Sequence, residues 1–495
     1  MLKKWLSIVI VSILVLSGIV GCAEKTGGGK KKGKQTEIQV VLLTQLGTTW
    51  FEAIVEKFEA KYPEYKIAYV GVDSTTAMRA TYGVEETDVY DLYVGTKMYD
   101  VTYMESLSDV LATTVEGESK TIGEKFNPAY LAMEEYNGDY YMLTCGGGHY
   151  GFLYNKSLFQ QAGIEQIPRT TNELALTCDM LADENITPLC HFNSDGYYKY
   201  INEVWWAQYD GMETWKDFYK NPSKEKMTTQ DGRYEVLKVH EQINTPDNVW
   251  LGSNSASGQA SGEQFWGGKC AITVGNGIAN ENFGMMKTPV ISSIIDKLTS
   301  VKTERLLRDL ITAIDAVTEG TESEDTYKEG DHYLIKGKNV DAADWKRVKE
   351  ARNMLPISYG GHSVFVPTYS DQKEGAKKFI AFMYSDEGYQ TYLDAKGTPL
   401  PLSLSNGEIN SSEWNQLSKD YANRLGQAEA LVSHITMGKH EIFLTAGADP
   451  FCNYLMVANM CTQSEQSRKN AREVWDIITT QINEKYDKSW MANVK

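Results

Sequence analysis

The run Ile38-Gln39-Val40-Val41-Leu42-Leu43, with the residues that follow it, limits the fold more than any other feature of the chain. A run this short and almost wholly apolar reads as a strand buried on both faces, the situation of a parallel sheet. After a loop over Thr44–Thr48, the residues Trp50, Phe51, Ile54, Val55, Phe58 and Tyr62 recur at helical spacing. Pro63 stops this helix, because its ring disfavours helical backbone at the residue before it. Lys66–Val70 reads as a second strand and Val89–Val94 as a third. Strand, helix and strand in this rhythm make a βαβ unit, so the predicted fold class is α/β.

The rest of the chain continues the pattern. Asn137-Gly138 forms a turn leading into a strand that ends near Leu143. Cys145-Gly146-Gly147-Gly148 follows, and then a strand over Tyr150–Tyr154. A glycine run between strands can cradle phosphate, but no Lys-Ser/Thr follows at P-loop spacing, so it reads as a crossing between domains. Thr170–Leu181 is helical with Thr171 as its cap, and Trp205-Trp206 lies on a later helix. Phe265–Val274 passes from a helix end into a buried strand. Glu304–Val317 is amphipathic, and Thr318–Asp331 is acidic and apolar-poor, an exposed loop. Ala376, Phe379, Ile380 and Met383 mark a helix, and Ser385 caps the next, with Asp386 and Glu387 at its positive end.

The N-terminus is a processing signal. Lys3 and Lys4 precede an apolar stretch from Leu6 to Val20, which is short for a membrane span and suited to a signal peptide. Ile19-Val20-Gly21-Cys22 resembles the lipobox of bacterial lipoproteins. That resemblance implies cleavage before Cys22 and lipid on its thiol and new amine, enough acyl chains for a stable anchor. Residues 1–21 are then the signal, and the Gly- and Lys-rich residues 22–36 are a flexible tether. Two of the 49 basic residues leave with the signal, against 66 acidic ones, so the mature chain carries a formal charge of −19. That balance argues against nucleic acid as a partner. No later run is long enough to span a membrane. Tyr and Trp are abundant, at 30 and 11, which suits a binder of oligosaccharides. Six cysteines remain (Cys145, Cys178, Cys190, Cys270, Cys452 and Cys461), and both disulfides and buried thiols stay open for them. The histidines form no metal-binding pair, so no metal and no cofactor is expected.

Several segments, in order, resemble the extracellular solute-binding proteins of ABC transporters, the group that includes maltose-binding protein. Phe58-Glu59-Ala60-Lys61-Tyr62-Pro63 resembles the end of that family's first helix, and Asp88–Leu92 the strand before its first binding loop. Asn137-Gly138 through Tyr154-Asn155-Lys156-Ser157-Leu158-Phe159 is the most specific match. Pro168–Leu174, Gly268-Lys269-Cys270-Ala271-Ile272, Ala376–Gly388 and Gly397-Thr398-Pro399 continue it. Two departures stand out. Gly275-Asn276-Gly277-Ile278 lacks the aromatic residue that many members carry there, and 288–353 is longer than the usual connection, a helical insertion.

The resemblance implies two α/β lobes, a periplasmic-binding-protein-like fold with crossing hinge strands and ligand in the cleft between. Lobe 1 would comprise 37–144 and 358–398; lobe 2 would comprise 145–357 and 399–495. The implied protein is a monomer that is not an enzyme and passes its ligand to membrane permease subunits of an ABC transporter. Loops at strand C-termini should line the cleft. They hold Gln45, Trp50, Lys97 and Tyr99 in lobe 1 and His149 and Tyr150 at the first crossing. Lobe 2 offers Asn193, Asp195, Tyr197, Trp205, Trp206 and Asn276, and the return crossing offers Gly361 and His362. Rings that stack on sugar faces and amides that meet hydroxyls are both present. Trp50 also lies at core spacing, one of Trp205 and Trp206 should face the cleft, and Tyr150 can be core. Glu85-Glu86 and Glu134-Glu135 read as surface pairs. The implied ligand is a sugar, in particular an oligosaccharide. The same fold binding a peptide or polyamine, a sensor, and a surface glycoside hydrolase are the alternatives, the last needing two carboxylates across a cleft.

Overall fold

The computed structural model describes residues 35–84, 90–191, 197–277, 280–321, 326–329, 332–412, 414, 416–444, 460 and 468–494. The lipidation candidate Cys22, the Glu85-Glu86 pair, Asn193, Asp195, Cys452 and Cys461 lie outside them. Among the described residues no helix is long and apolar enough to cross a membrane.

The opening apolar run is β1 (Thr36–Leu43). It pairs in parallel with β2 (Tyr65–Val72) along its whole length and with β3 (Leu92–Val94) near its end. The reason for its uniform apolarity is visible in its two faces. Ile38, Val40 and Leu42 enter one core with Phe51, Ile54 and Phe58 of the Thr49–Lys61 helix. Val41 and Leu43 enter a second core on the opposite face, with Met78, Tyr93 and Met142. Every one of these five strand residues is fully buried, as a strand covered on both sides requires. The sheet is completed by β4 (Leu143–Thr144) and, from much later in the chain, β13 (Ser363–Phe365), in the order β2-β1-β3-β13-β4. This is lobe 1.

Lobe 2 is built on a second sheet of β5 (Gly151–Asn155), β6 (Thr187–Leu189), β7 (Cys270–Gly275) and β8 (Phe283–Met286), ordered β6-β7-β5-β8. Phe152, Ile272 and Val274 face a large helical core that contains Trp205 and Trp206, while Leu153 and Cys270 face Phe265 and Tyr421. Cys145, Cys178, Cys190 and Cys270 are buried free thiols.

Local readings hold with small shifts. Asn137 and Gly138 both take positive φ (53° and 82°), the backbone of a tight hairpin turn. Ser385 caps the Asp386–Lys396 helix by accepting from Gly388 N at 3.0 Å. The Thr171–Asp183 helix is capped by Thr170 instead of Thr171: Thr170 Oγ1 accepts from Glu173 N, and Thr171 is already the first helical residue. The 288–353 insertion is not purely helical. Between the Glu304–Thr318 and Ala342–Arg352 helices stand β9 (Thr326–Glu329), β10 (His332–Ile335) and β11 (Lys338–Asp341), an antiparallel meander whose Tyr333 stacks on Trp345 at 4.1 Å. The acidic stretch expected to be a loop therefore includes a strand.

The described residues from Thr36 on form one compact unit, and three segments cross its waist. The first runs through Gly146–Gly148. The second follows β12 (Met354–Pro356). The third follows β14 (Ala430–Val432), which pairs in parallel with β12. Tyr150 N donates to Pro356 O at 2.8 Å, Ser358 N to Gly148 O at 2.9 Å and Ile357 N to Val432 O at 2.9 Å, so the three are stitched side by side. The lobe boundary expected at Pro399 falls later. Leu400, Leu402 and Trp414 pack into the core of lobe 1, because their apolar side chains meet the Asp386–Lys396 helix and its neighbours.

Candidate functional site

The site starts at the edge where both sheets end. β13 begins at Ser363, just past the crossing, and is antiparallel to β3, with Gly95 N donating to Ser363 O at 2.9 Å. The C-terminal ends of β1 and β3 therefore face the waist. In lobe 2, Gly151 at the start of β5 lies opposite Gly275 at the end of β7, and β6 runs parallel to β7. Both sheets thus turn strand C-termini towards the crossing, the edge at which open α/β sheets bind ligands.

On the lobe 1 side Gln45 is exposed and Tyr99 is 38% exposed, both just beyond strand ends. His362 is tied down by its Nδ1, 2.9 Å from Gly95 O, and burial lowers its pKa, which keeps the ring neutral. Gly361 lies beside it, 3.7 Å from Ile435 Cδ1 as measured from the position a Cβ would take. Lys97 turns inward. Its Nζ donates to Glu134 Oε2 at 2.8 Å and both side chains are buried. This overturns the surface reading of Glu134, although Glu135 is exposed. Desolvation raises the Glu134 pKa and lowers that of Lys97, each opposed by the attraction of the other.

On the lobe 2 side four rings converge. Tyr150, the first residue past the glycine run and His149, stacks on Tyr200 with centroids 3.9 Å apart and planes 5° from parallel. Tyr197 lies 4.9 Å from Tyr150, and His434 lies 4.5 Å from Tyr200. Tyr197 takes a left-handed backbone, φ 71°, just before the Tyr198–Asp210 helix. Tyr197 and His434 are half-buried, whereas Tyr150 and Tyr200 are buried. Burial holds His434 neutral, well below the usual histidine range. The edge of β7 adds Asn276, an exposed residue whose carbonyl accepts from Tyr421 OH.

The remaining candidates are core residues. Trp50 is 2% exposed and meets Tyr392 edge to face at 5.4 Å, so helix packing accounts for it. Neither Trp205 nor Trp206 faces the cleft. Trp205 Nε1 donates to Pro289 O, and Trp206 Nε1 donates to Asp210, with Arg233 3.8 Å over its ring. Trp205 packs on Phe152 of β5, centroids 5.8 Å apart, and Trp206 on Phe218 of the following helix at 5.1 Å. His149 is fully buried against Tyr421, centroids 3.6 Å apart. Sequence reasoning missed Tyr200 and His434. Tyr200 sits one helical turn beyond Tyr197, a spacing that could have revealed it; His434 had no local signal. Among the described residues no group of His, Cys, Asp and Glu is placed to hold a metal ion.

The model of the bacterial extracellular solute-binding protein family matches residues 43–390. This chain belongs to that family. No curated protein matches it in sequence. Among solved structures, this solute-binding protein is similar to apo RafE from Streptococcus pneumoniae, with a TM-score of 0.60 and 14% identity over 92% of this chain and 99% of that one. It is also similar to the GacH receptor of Streptomyces glaucescens, solved unliganded and with acarbose, with a TM-score of 0.57 and 14% identity over 91% and 98%. A third is the solute receptor AcbH, described as preferring β-D-galactopyranose, with a TM-score of 0.58 and 12% identity over 91% and 99%. The shared fold is the two-lobed one. Solute-binding proteins of this family capture small solutes outside the cytoplasm and deliver them to ABC permeases.

Proposed function

We propose that this solute-binding protein captures a sugar, an oligosaccharide first among the candidates, and hands it to its permease while lipid on Cys22 holds it at the outer face of the membrane. The observation that carries the sugar reading is the ring cluster of Tyr197, Tyr150, Tyr200 and His434 at the strand ends of lobe 2. A sugar presents C–H faces that pack on such rings, and hydroxyls that meet amides such as those of Gln45 and Asn276. The folds of GacH and AcbH, described with acarbose and with galactopyranose, support the same reading. Ligand touching both lobes would favour the closed arrangement by its differential affinity.

Calorimetry and thermal shift against a panel of oligosaccharides, amines and peptides test this. At least one glycan should raise the unfolding midpoint. Tyr197→Ala should weaken that glycan roughly ten- to hundredfold while the unliganded chain still unfolds cooperatively. Binding of amines or peptides with no response to any glycan would replace the sugar reading. Labelled palmitate should enter the wild-type chain in cells and fail to enter Cys22→Ser.

A further inference from the structure

Both lobes bring positive charge to the strand-end edge. On the lobe 1 side, Lys396 ends the Asp386–Lys396 helix, and its Nζ donates to the carbonyl of Leu46, one residue beyond Gln45. Leu46 and His362 also flank Gly146 of the first crossing, 3.7 and 3.6 Å from the position a Cβ would take. Lys396 therefore reaches the edge on which Gln45 and His362 stand. Arg79 reaches it from the Thr75–Arg79 helix: its Nη2 donates to Lys97 O at 3.2 Å, and Lys97 N donates to Gly361 O at 3.3 Å. On the lobe 2 side, Lys199 stands between Tyr197 and Tyr200, with its Nζ 5.8 Å from the Tyr200 ring centroid.

None of these three cations has an ion pair among the described residues. None is enclosed either: Arg79 is exposed, and Lys396 and Lys199 are half-buried. Carboxylates close by are engaged elsewhere. Glu134 holds Lys97 inside lobe 1, and Asp100 Oδ1 accepts from Thr102 N and Oγ1. In lobe 2, burial first and then the charges of Lys199 and Lys439 keep His434 neutral. Acidic residues outnumber basic ones in the chain, 66 to 49. Lysines elsewhere on the surface, such as Lys61, Lys66 and Lys377, each meet a carboxylate. Cations left without one along the two edges make a local positive field on a negative molecule. An anion arriving at a half-buried ammonium is held more firmly than at an open surface, because less water screens the pair. The hydroxyls of a neutral glycan draw nothing from that charge, and a polyamine is repelled by it.

We infer that the ligand captured here is an acidic sugar, a short glycan whose carboxylate or sulfate groups pair with Lys396, Arg79 and Lys199. The inference rests on the sugar reading and narrows it. Because the cations belong to both lobes, an acidic ligand that meets them all also favours the closed arrangement.

The experiment uses the mature chain with named probes: digalacturonate and trigalacturonate, a sulfated chondroitin disaccharide, neutral galactobiose and galactotriose, and sugar-free citrate. By calorimetry at low salt, an acidic glycan should bind at least about tenfold more tightly than its neutral counterpart. That advantage should shrink as sodium chloride is raised. Lys396→Gln and Lys199→Gln should each weaken the acidic glycan about fivefold or more, and Lys199→Arg should retain most of the binding. Either acidic glycan supports the inference, and the one that binds tells carboxylate from sulfate. A neutral glycan bound as tightly as its acidic form overturns the inference and leaves the sugar reading standing. Citrate binding with no response to any glycan overturns the sugar reading itself. No response to any acidic glycan, or equal affinities in the wild type and both glutamine variants, also overturns the inference. The wild-type comparison of acidic with neutral probes decides the matter even if a variant fails to fold.

Discussion

His191 is fully buried near the end of β6, and neither of its ring nitrogens has a hydrogen-bond partner. Burial lowers its pKa to about 4, and that of nearby His240 to about 3. An unfolded histidine takes its proton near pH 6.5. Below that pH the unfolded chain binds a proton that the folded chain refuses, so stability present above 6.5 is lost as pH falls towards 4. His191→Phe keeps an aromatic ring there, though a somewhat larger one, and removes that linkage. Between pH 6.5 and 5 it should lose about 1.5 kcal/mol less than the wild type, measured by urea unfolding at each pH. Equal losses would mean that His191 is protonated in the folded state. The same scale shows why site residues were only partly legible. Tyr197 follows Gly196 in the sequence, and Tyr150 stands beside a crossing that the sequence marks with glycines. Lys97 carries the same kind of local signal, yet its partner Glu134 is 37 residues away, and nothing local announces the pairing.

Elements were legible where local physics decides them. β1 shows its two-sided burial as unbroken apolarity, and the Asp386–Lys396 helix is bracketed by Ser385 at one end and Gly397, φ 68°, at the other. The β9–β11 meander was hidden, because its edge strand has little apolar character and is held by pairing with β10. The crossing element makes the sharpest demand on residue type. Gly147 has φ 109°, and a Cβ there would lie 2.9 Å from Ser358 O and 3.0 Å from Tyr359 Cα, both backbone atoms of the second crossing segment. Gly147→Ala should therefore cost at least about 1–3 kcal/mol from backbone strain alone, before the contact is relieved. Gly277→Ala, with nothing within 4 Å, should stay within about 0.5 kcal/mol of the wild type. Denaturant unfolding of the two variants compares them directly. Equal stability would mean that the crossing segments can separate freely.

At the scale of the whole molecule the third crossing segment gives the waist its character. After β14 the chain runs over both lobes. Met437 packs into the lobe 1 core with Tyr93, Met98 and Met142, and Gly438 N donates to Met133 O at 2.8 Å. Two residues later His440 N donates to Tyr219 O of lobe 2 at 2.8 Å, and Phe443 lies 5.1 Å from the Tyr219 ring. Met437→Ala should lower global stability by about 2–4 kcal/mol, since it empties a fully enclosed site in one lobe. A loss under about 0.5 kcal/mol by urea unfolding would show that this segment rests on lobe 1 without anchoring there. Its residues Ile435 and His434 border Gly361 and Tyr200, so the same segment that joins the lobes also borders the proposed binding edge.

By itself the sequence determined what short-range physics encodes: the α/β class, the rhythm of strands and helices, the glycine crossing, and the family. Those follow from periodicity, caps and turns, each readable within a dozen residues. The tertiary structure decided which rings are core and which are accessible. It placed Trp205 and Trp206 inside, brought Tyr200 and His434 to Tyr150, and set Lys97 on Glu134. It also brought Lys396 to the carbonyl of Leu46 from far along the chain. Burial and charge balance are sums over neighbours distant in sequence, and they take a value only once the chain has closed on itself.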